Sequence, residues 1–118
     1  LIGGLRVTTA RGTSDTKLDP AQWAQELVSR GAGEILINMV DRDGTWAGYD
    51  LALIKHVSSQ VEVPIIAAGG AGRIEDLGEA IHAGASGAAM GAMVVYQKKG
   101  MGVLINYPSR ADILRVLA

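Results

Sequence analysis

The chain has 118 residues, room for one compact domain, and its 48% hydrophobic and 19% charged residues without runs of like charge exclude a disordered segment. A net charge of −1 with scattered lysines and arginines leaves no basic patch for nucleic acid or anionic lipid. The absence of cysteine excludes a disulfide framework and a thiol nucleophile, and no apolar stretch approaches the ~20 residues that span a bilayer, so a cytoplasmic location is expected.

Leu1-Ile2-Gly3-Gly4 lacks a basic region followed by a long apolar one and does not read as a signal peptide; the missing starting methionine suggests residues upstream. Leu5 to Thr9 alternates like a short strand, with Gly3-Gly4 as the turn of a hairpin. Asp19-Pro20 predicts a helix start, with Trp23, Leu27 and Val28 on one face and Gly31 as the stop. Glu34 to Val40 is a nearly unbroken apolar run that suits a parallel strand covered on both faces, followed by a loop from Asp41 to Tyr49.

Asp50 caps a second predicted helix reaching about Gln60, with Leu51, Ile54 and Val57 inward, and Pro64 to Ala68 reads as the next strand. After the loop Gly69-Gly70-Ala71-Gly72, a third helix from Ile74 to Ala83 should bury Leu77, Ala80 and Ile81 and end at Gly84. A strand from Gly87 to Gly91, a helical turn over Met93 to Tyr96 and a last helix capped by Ser109 with Asp112 complete the series. Alternating helices and strands predict a parallel α/β sheet, open or closed into a barrel. Glu26 to Gly33 echoes Glu79 to Ser86, the recurrence expected of a barrel built by duplication.

In such folds ligands lie beyond the carboxyl ends of the strands, so the loops starting at Asp41, Gly69 and Gly91 should converge. Asp41-Arg42-Asp43-Gly44-Thr45 could place one aspartate as general acid or base, with Arg42 and Thr45 orienting it; alternatively both aspartates bond backbone amides of a tight turn. Gly69 to Gly72 could let backbone N–H groups approach an anion at a helix N-terminus, and Gly91-Ala92 offers a second edge; a plain tight turn is the alternative. Asn38 could hydrogen-bond a ligand from inside a barrel or be a satisfied core amide. His56 and His82 fall within helices without metal-ligand spacing, so packing or surface roles are expected, and no metal or cofactor is implied. Trp46 and Tyr49 flank the Asp loop as a lid, a partner surface or local packing.

The segments Gly31-Ala-Gly-Glu-Ile-Leu-Ile-Asn-Met-Val-Asp-Arg-Asp-Gly-Thr45, Gly48-Tyr-Asp50 and Pro64-Ile-Ile-Ala-Ala-Gly-Gly-Ala-Gly72 resemble the C-terminal half of the imidazole glycerol phosphate synthase cyclase subunit family. The resemblance covers nearly the whole chain and implies a single half of a (β/α)8 TIM barrel over residues 1–118, completed by oligomerisation or an N-terminal half. It implies ammonia taken from a glutaminase partner and reacted with a phosphoribulosyl aminoimidazole carboxamide nucleotide, giving imidazole glycerol phosphate and an aminoimidazole carboxamide ribotide in histidine biosynthesis. By the same resemblance Asp43 is the catalytic aspartate after strand six, while Gly69, Gly70, Gly91 and Ala92 hold one substrate phosphate.

The family's other catalytic aspartate, at the end of strand five, and its second phosphate site have no counterpart in these residues; Asp15 and Asp19 do not match. Ala68 and Ala92 stand where the family can carry hydroxyls, so phosphate binding would lean on backbone amides. Val103-Leu-Ile-Asn-Tyr-Pro-Ser109 and Tyr96-Gln-Lys-Lys99 look like a branch associated with surface-sugar amidation. A related sugar isomerase shares Asp-Gly-Thr after strand six, but Gly70-Ala71-Gly72 suits the cyclase better. A non-catalytic phosphate-binding scaffold is the reading from a different class.

Overall fold

The computed structural model of the chain describes residues 4–118. The predicted Gly3-Gly4 turn therefore lies partly outside the described residues. Of the predicted strand only β1 (Thr8–Thr9) forms, and it pairs antiparallel with β2 (Ser14–Asp15), which follows it. The hairpin turns through Ala10 and Arg11, both at positive φ, and is extended by Val7 N–H to the Leu18 carbonyl at 2.9 Å.

Helix α1 (Pro20–Ser29) starts where its cap dictates: the Asp19 carboxylate accepts from Ala21 N–H at 2.9 Å and Gln22 N–H at 3.1 Å, and Pro20 needs no partner at the first position. Its buried residues are Ala21 and Ala24, whereas Trp23, Leu27 and Val28 are half-buried. The alanines take the most enclosed positions, and Trp23 and Leu27 instead line a groove of about 480 Å³ beside strand β3 (Ile35–Asn38).

Helix α2 (Leu51–Ser58) is capped by Asp50, whose carboxylate accepts from Leu53 N–H at 3.0 Å, and buries Leu53, Ile54 and Val57; it ends two residues short of Gln60, and Leu51 is only half-buried. Strand β4 (Ile65–Ala68), helix α3 (Ile74–His82) and strand β5 (Gly87–Ala88) follow. The predicted strand run to Val40 stops at Asn38 because Arg42 and Asp43 N–H both turn back to the Met39 carbonyl at 2.9 Å. A four-residue helix α4 (Ala92–Val95) and α5 (Arg110–Leu117) complete the chain. The Ser109 hydroxyl caps α5 by accepting from Asp112 N–H at 3.1 Å. Helix α5 packs on α3 where Gly78 lies against the Val116 carbonyl.

The three longer-range strands are all parallel, in the order β3-β4-β5, with Ile35 opposite Ile65 and Ile66 opposite Gly87. Neighbours in sequence are neighbours in space and the order does not reverse, an α/β arrangement consistent with part of a (β/α)8 barrel. The core lies between the sheet and its helices: Ile35, Met39, Ile54, Val57, Ile65 and Ala67 are buried together. On the opposite sheet face Leu36 is 59% exposed and Val40 44% exposed.

The repeated sequence builds the same joint twice. Gly31 N–H bonds Val28 O and Ala32 N–H bonds Leu27 O, at 2.9 and 3.0 Å; Gly84 N–H bonds Ile81 O and Ala85 N–H bonds Ala80 O, both at 3.0 Å. Both glycines have positive φ, +99° and +111°, the conformation that ends a helix and is cheapest for glycine. Among the described residues no helix is long and apolar enough to cross a membrane.

Candidate functional site

The loops after β3, β4 and β5 meet at the carboxyl ends of the parallel strands. The loop from Asp41 to Tyr49 lies across the glycine loop: Gly48 N–H donates to the Gly70 carbonyl at 2.8 Å. A Cβ on Gly70 would collide with the Gly48 carbonyl oxygen, and one on Gly72 with that of Trp46. Gly70 also has φ +116°, so both its conformation and its surroundings demand the absence of a side chain. A Cβ on Gly69 (φ +86°) would lie 2.7 Å from the Met39 carbonyl and 2.9 Å from Asn38 Oδ1. The glycines thus serve first to seat one loop on the other.

Asp43 is exposed, and among the described residues neither its carboxylate nor that of Asp41 takes part in a hydrogen bond or ion pair. The alternative in which these aspartates hold the turn is therefore replaced. Thr45 Oγ1 donates to Arg42 O at 2.6 Å and accepts from Ala47 N–H at 3.2 Å, and Arg42 Nη1 donates to Gly48 O at 3.1 Å. Arg42 and Thr45 shape the loop rather than contact Asp43, because the carbonyls of the returning segment lie nearer to hand.

Asn38 is exposed, with no protein partner for its amide among the described residues, so it is not a satisfied core amide. The N-terminus of α3 departs from expectation in another way. Gly72 N–H and Arg73 N–H donate to Asp76 Oδ2 at 2.8 and 3.1 Å, so its own carboxylate fills the place predicted for an anion. Asp76 is 4% exposed and also accepts from Arg73 Nε at 3.0 Å. Gly69, Gly70 and Ala71 N–H donate to no protein acceptor among the described residues. Gly91 opens onto empty space, with Ala92 starting α4 directly after it.

Tyr49 is not a lid: it is 3% exposed, and its hydroxyl donates to the Ala89 carbonyl at 2.7 Å. Burial, with a smaller contribution from Asp76, pushes its pKa up to about 12, which keeps the hydroxyl a donor. Trp46 is half-buried at φ +64°. His56 is half-buried on α2, its Nε2 3.6 Å from Asp19 Oδ1 at the start of α1, and His82 is exposed. Asp76 and the Tyr49 contact are not legible in the sequence in the same degree: the first has a local signal, an acidic residue three positions after the helix N-cap Arg73, while the second joins residues 40 apart.

A family model described as histidine biosynthesis protein matches residues 2–100. A Beutenbergia cavernae relative named imidazole glycerol phosphate synthase subunit HisF is 49% identical over 82 residues, 70% of this chain and 32% of its own length. The protein of the same name from Synechococcus sp. (strain CC9605) is 41% identical over 112 residues, 95% of this chain and 44% of its own. The hisF2 protein of Pseudomonas aeruginosa is 45% identical over 107 residues, 90% of this chain and 43% of its own. The chain thus spans less than half the length of each of these relatives.

Proposed function

The chain belongs to the histidine biosynthesis protein family, and from that membership we propose that residues 1–118 form one domain, the C-terminal half barrel of an imidazole glycerol phosphate synthase cyclase subunit. The half barrel binds one phosphate of a phosphorylated substrate and works with a glutaminase subunit that supplies ammonia. Its completed form reacts that ammonia with a phosphoribulosyl aminoimidazole carboxamide nucleotide and releases imidazole glycerol phosphate and an aminoimidazole carboxamide ribotide. The relatives' names favour this reading over sugar amidation.

The observation that carries the proposal is the Asp43 carboxylate, exposed at the strand ends and, among the described residues, without hydrogen bond or ion pair, on a loop that Thr45 and Arg42 hold in shape. A carboxylate free of structural duty can exchange a proton with a substrate held beside it. Gly69, Gly70, Gly91 and Ala92 supply backbone N–H groups for the phosphate, and Asn38 reaches the substrate from the exposed sheet face. The second acid–base group, at the end of strand five, and the second phosphate site, in the N-terminal half, come from the rest of the barrel.

Asp43→Asn in the assembled barrel is expected to lower kcat by about 10²–10⁴-fold while inorganic phosphate still competes with substrate at nearly the same concentration. Parallel loss of turnover and phosphate affinity would instead assign Asp43 a structural role.

A further inference from the structure

We propose that Tyr49 is a positioning residue for the reaction proposed above, its hydroxyl fixing the Asp43 loop against the end of β5. The inference rests on that functional reading for its consequence but on packing for its cause. The two loops after β3 and β4 are already joined, by the Gly48–Gly70 hydrogen bond and the close approach of Trp46 to Gly72. Neither contact reaches β5. Tyr49 does, because its ring is buried among the strand ends and its hydroxyl meets Ala89 O at 2.7 Å, two residues before Gly91.

The spacing from Asp43 to the Gly91-Ala92 edge is therefore set through one side chain that belongs to the Asp loop and is anchored beside the phosphate edge. Asp50, next in sequence, holds the other end by capping α2, so Tyr49 is fixed from both sides. A reaction that needs a carboxylate and a phosphate held at a set separation is sensitive to that anchor, since a displacement near 1 Å can cost on the order of a hundredfold in rate.

Tyr49→Phe keeps the ring and removes only the hydroxyl. In the assembly that turns over substrate, kcat should fall on the order of tenfold or more, with the inhibition constant of inorganic phosphate changed less than about twofold. In the Asp43→Asn background the same substitution should bring no further loss, because the residue it positions is already disabled. Amide hydrogen exchange of residues 41–48 should quicken in Tyr49→Phe, while exchange in β3 and β4 stays unchanged. Unchanged kcat, an equal loss in the Asp43→Asn background, or unchanged exchange in residues 41–48 would each overturn the proposal. If the parent assembly shows no turnover, the cyclase reading fails, and the exchange measurement still decides whether Tyr49 anchors the loop.

Discussion

A Cβ placed on Gly70 would strike the Gly48 carbonyl oxygen at a residue whose φ is +116°, whereas one placed on Gly91 would meet nothing within 4 Å. Gly70→Ala should therefore cost about 3 kcal/mol or more, from left-handed strain plus overpacking. Gly91→Ala should cost under about 1 kcal/mol and weaken competition by inorganic phosphate instead. Denaturation midpoints and phosphate titration of the two variants separate these effects; equal destabilisation by both would contradict the assignment. From the sequence the two glycines looked alike, because the difference lies in a carbonyl 22 residues away from Gly70 along the chain. The same distance problem hid the role of Arg42, which bonds Gly48 O and so could not be told from a partner of Asp43.

Helix starts were legible because capping is local: Asp19, Asp50 and Ser109 each accept the amide hydrogen bond that their spacing predicts. Strand ends were not, since the apolar run past Asn38 continues into a turn whose hydrogen bonds leave the ladder. The buried face of α1 is hidden for a related reason: hydrophobicity marks Trp23 and Leu27, but the most buried positions are Ala21 and Ala24. Helix α5 is held shallowly on α3, with Ile113 and Val116 half-buried. It has no buried residue, its Arg115–Glu75 ion pair is long at 3.7 Å and exposed, and Gly78 of α3 lies against its Val116 carbonyl. Gly78→Ala would favour α3 by about 1 kcal/mol in helix propensity, and an exposed ion pair returns at most about that much against α5 moving away. The expected outcome is a nearly unchanged thermal midpoint with faster amide exchange throughout α5; a lowered midpoint with α5 still protected would show that α3 yields instead.

For the whole molecule, alternation of helices and strands points to the parallel α/β class, and the sequential strand order β3-β4-β5 is consistent with part of a barrel. Sheet β3-β4-β5 has β3 and β5 as its outer strands among the described residues, and the sheet face away from the helices leaves Leu36 and Val40 exposed beside the 480 Å³ groove. Unpaired backbone groups and open apolar surface of this kind favour association with further strands. The most direct test is ammonia-dependent conversion of the cyclase substrate by the purified chain, alone and mixed with a segment of a relative that carries strands one to five, with mass in solution recorded on the same samples. Turnover is expected from completed assemblies, whether self-paired or mixed, and none from a monomer. A folded assembly of two halves that binds phosphate but converts no substrate would contradict the cyclase account and leave a phosphate-binding scaffold in its place.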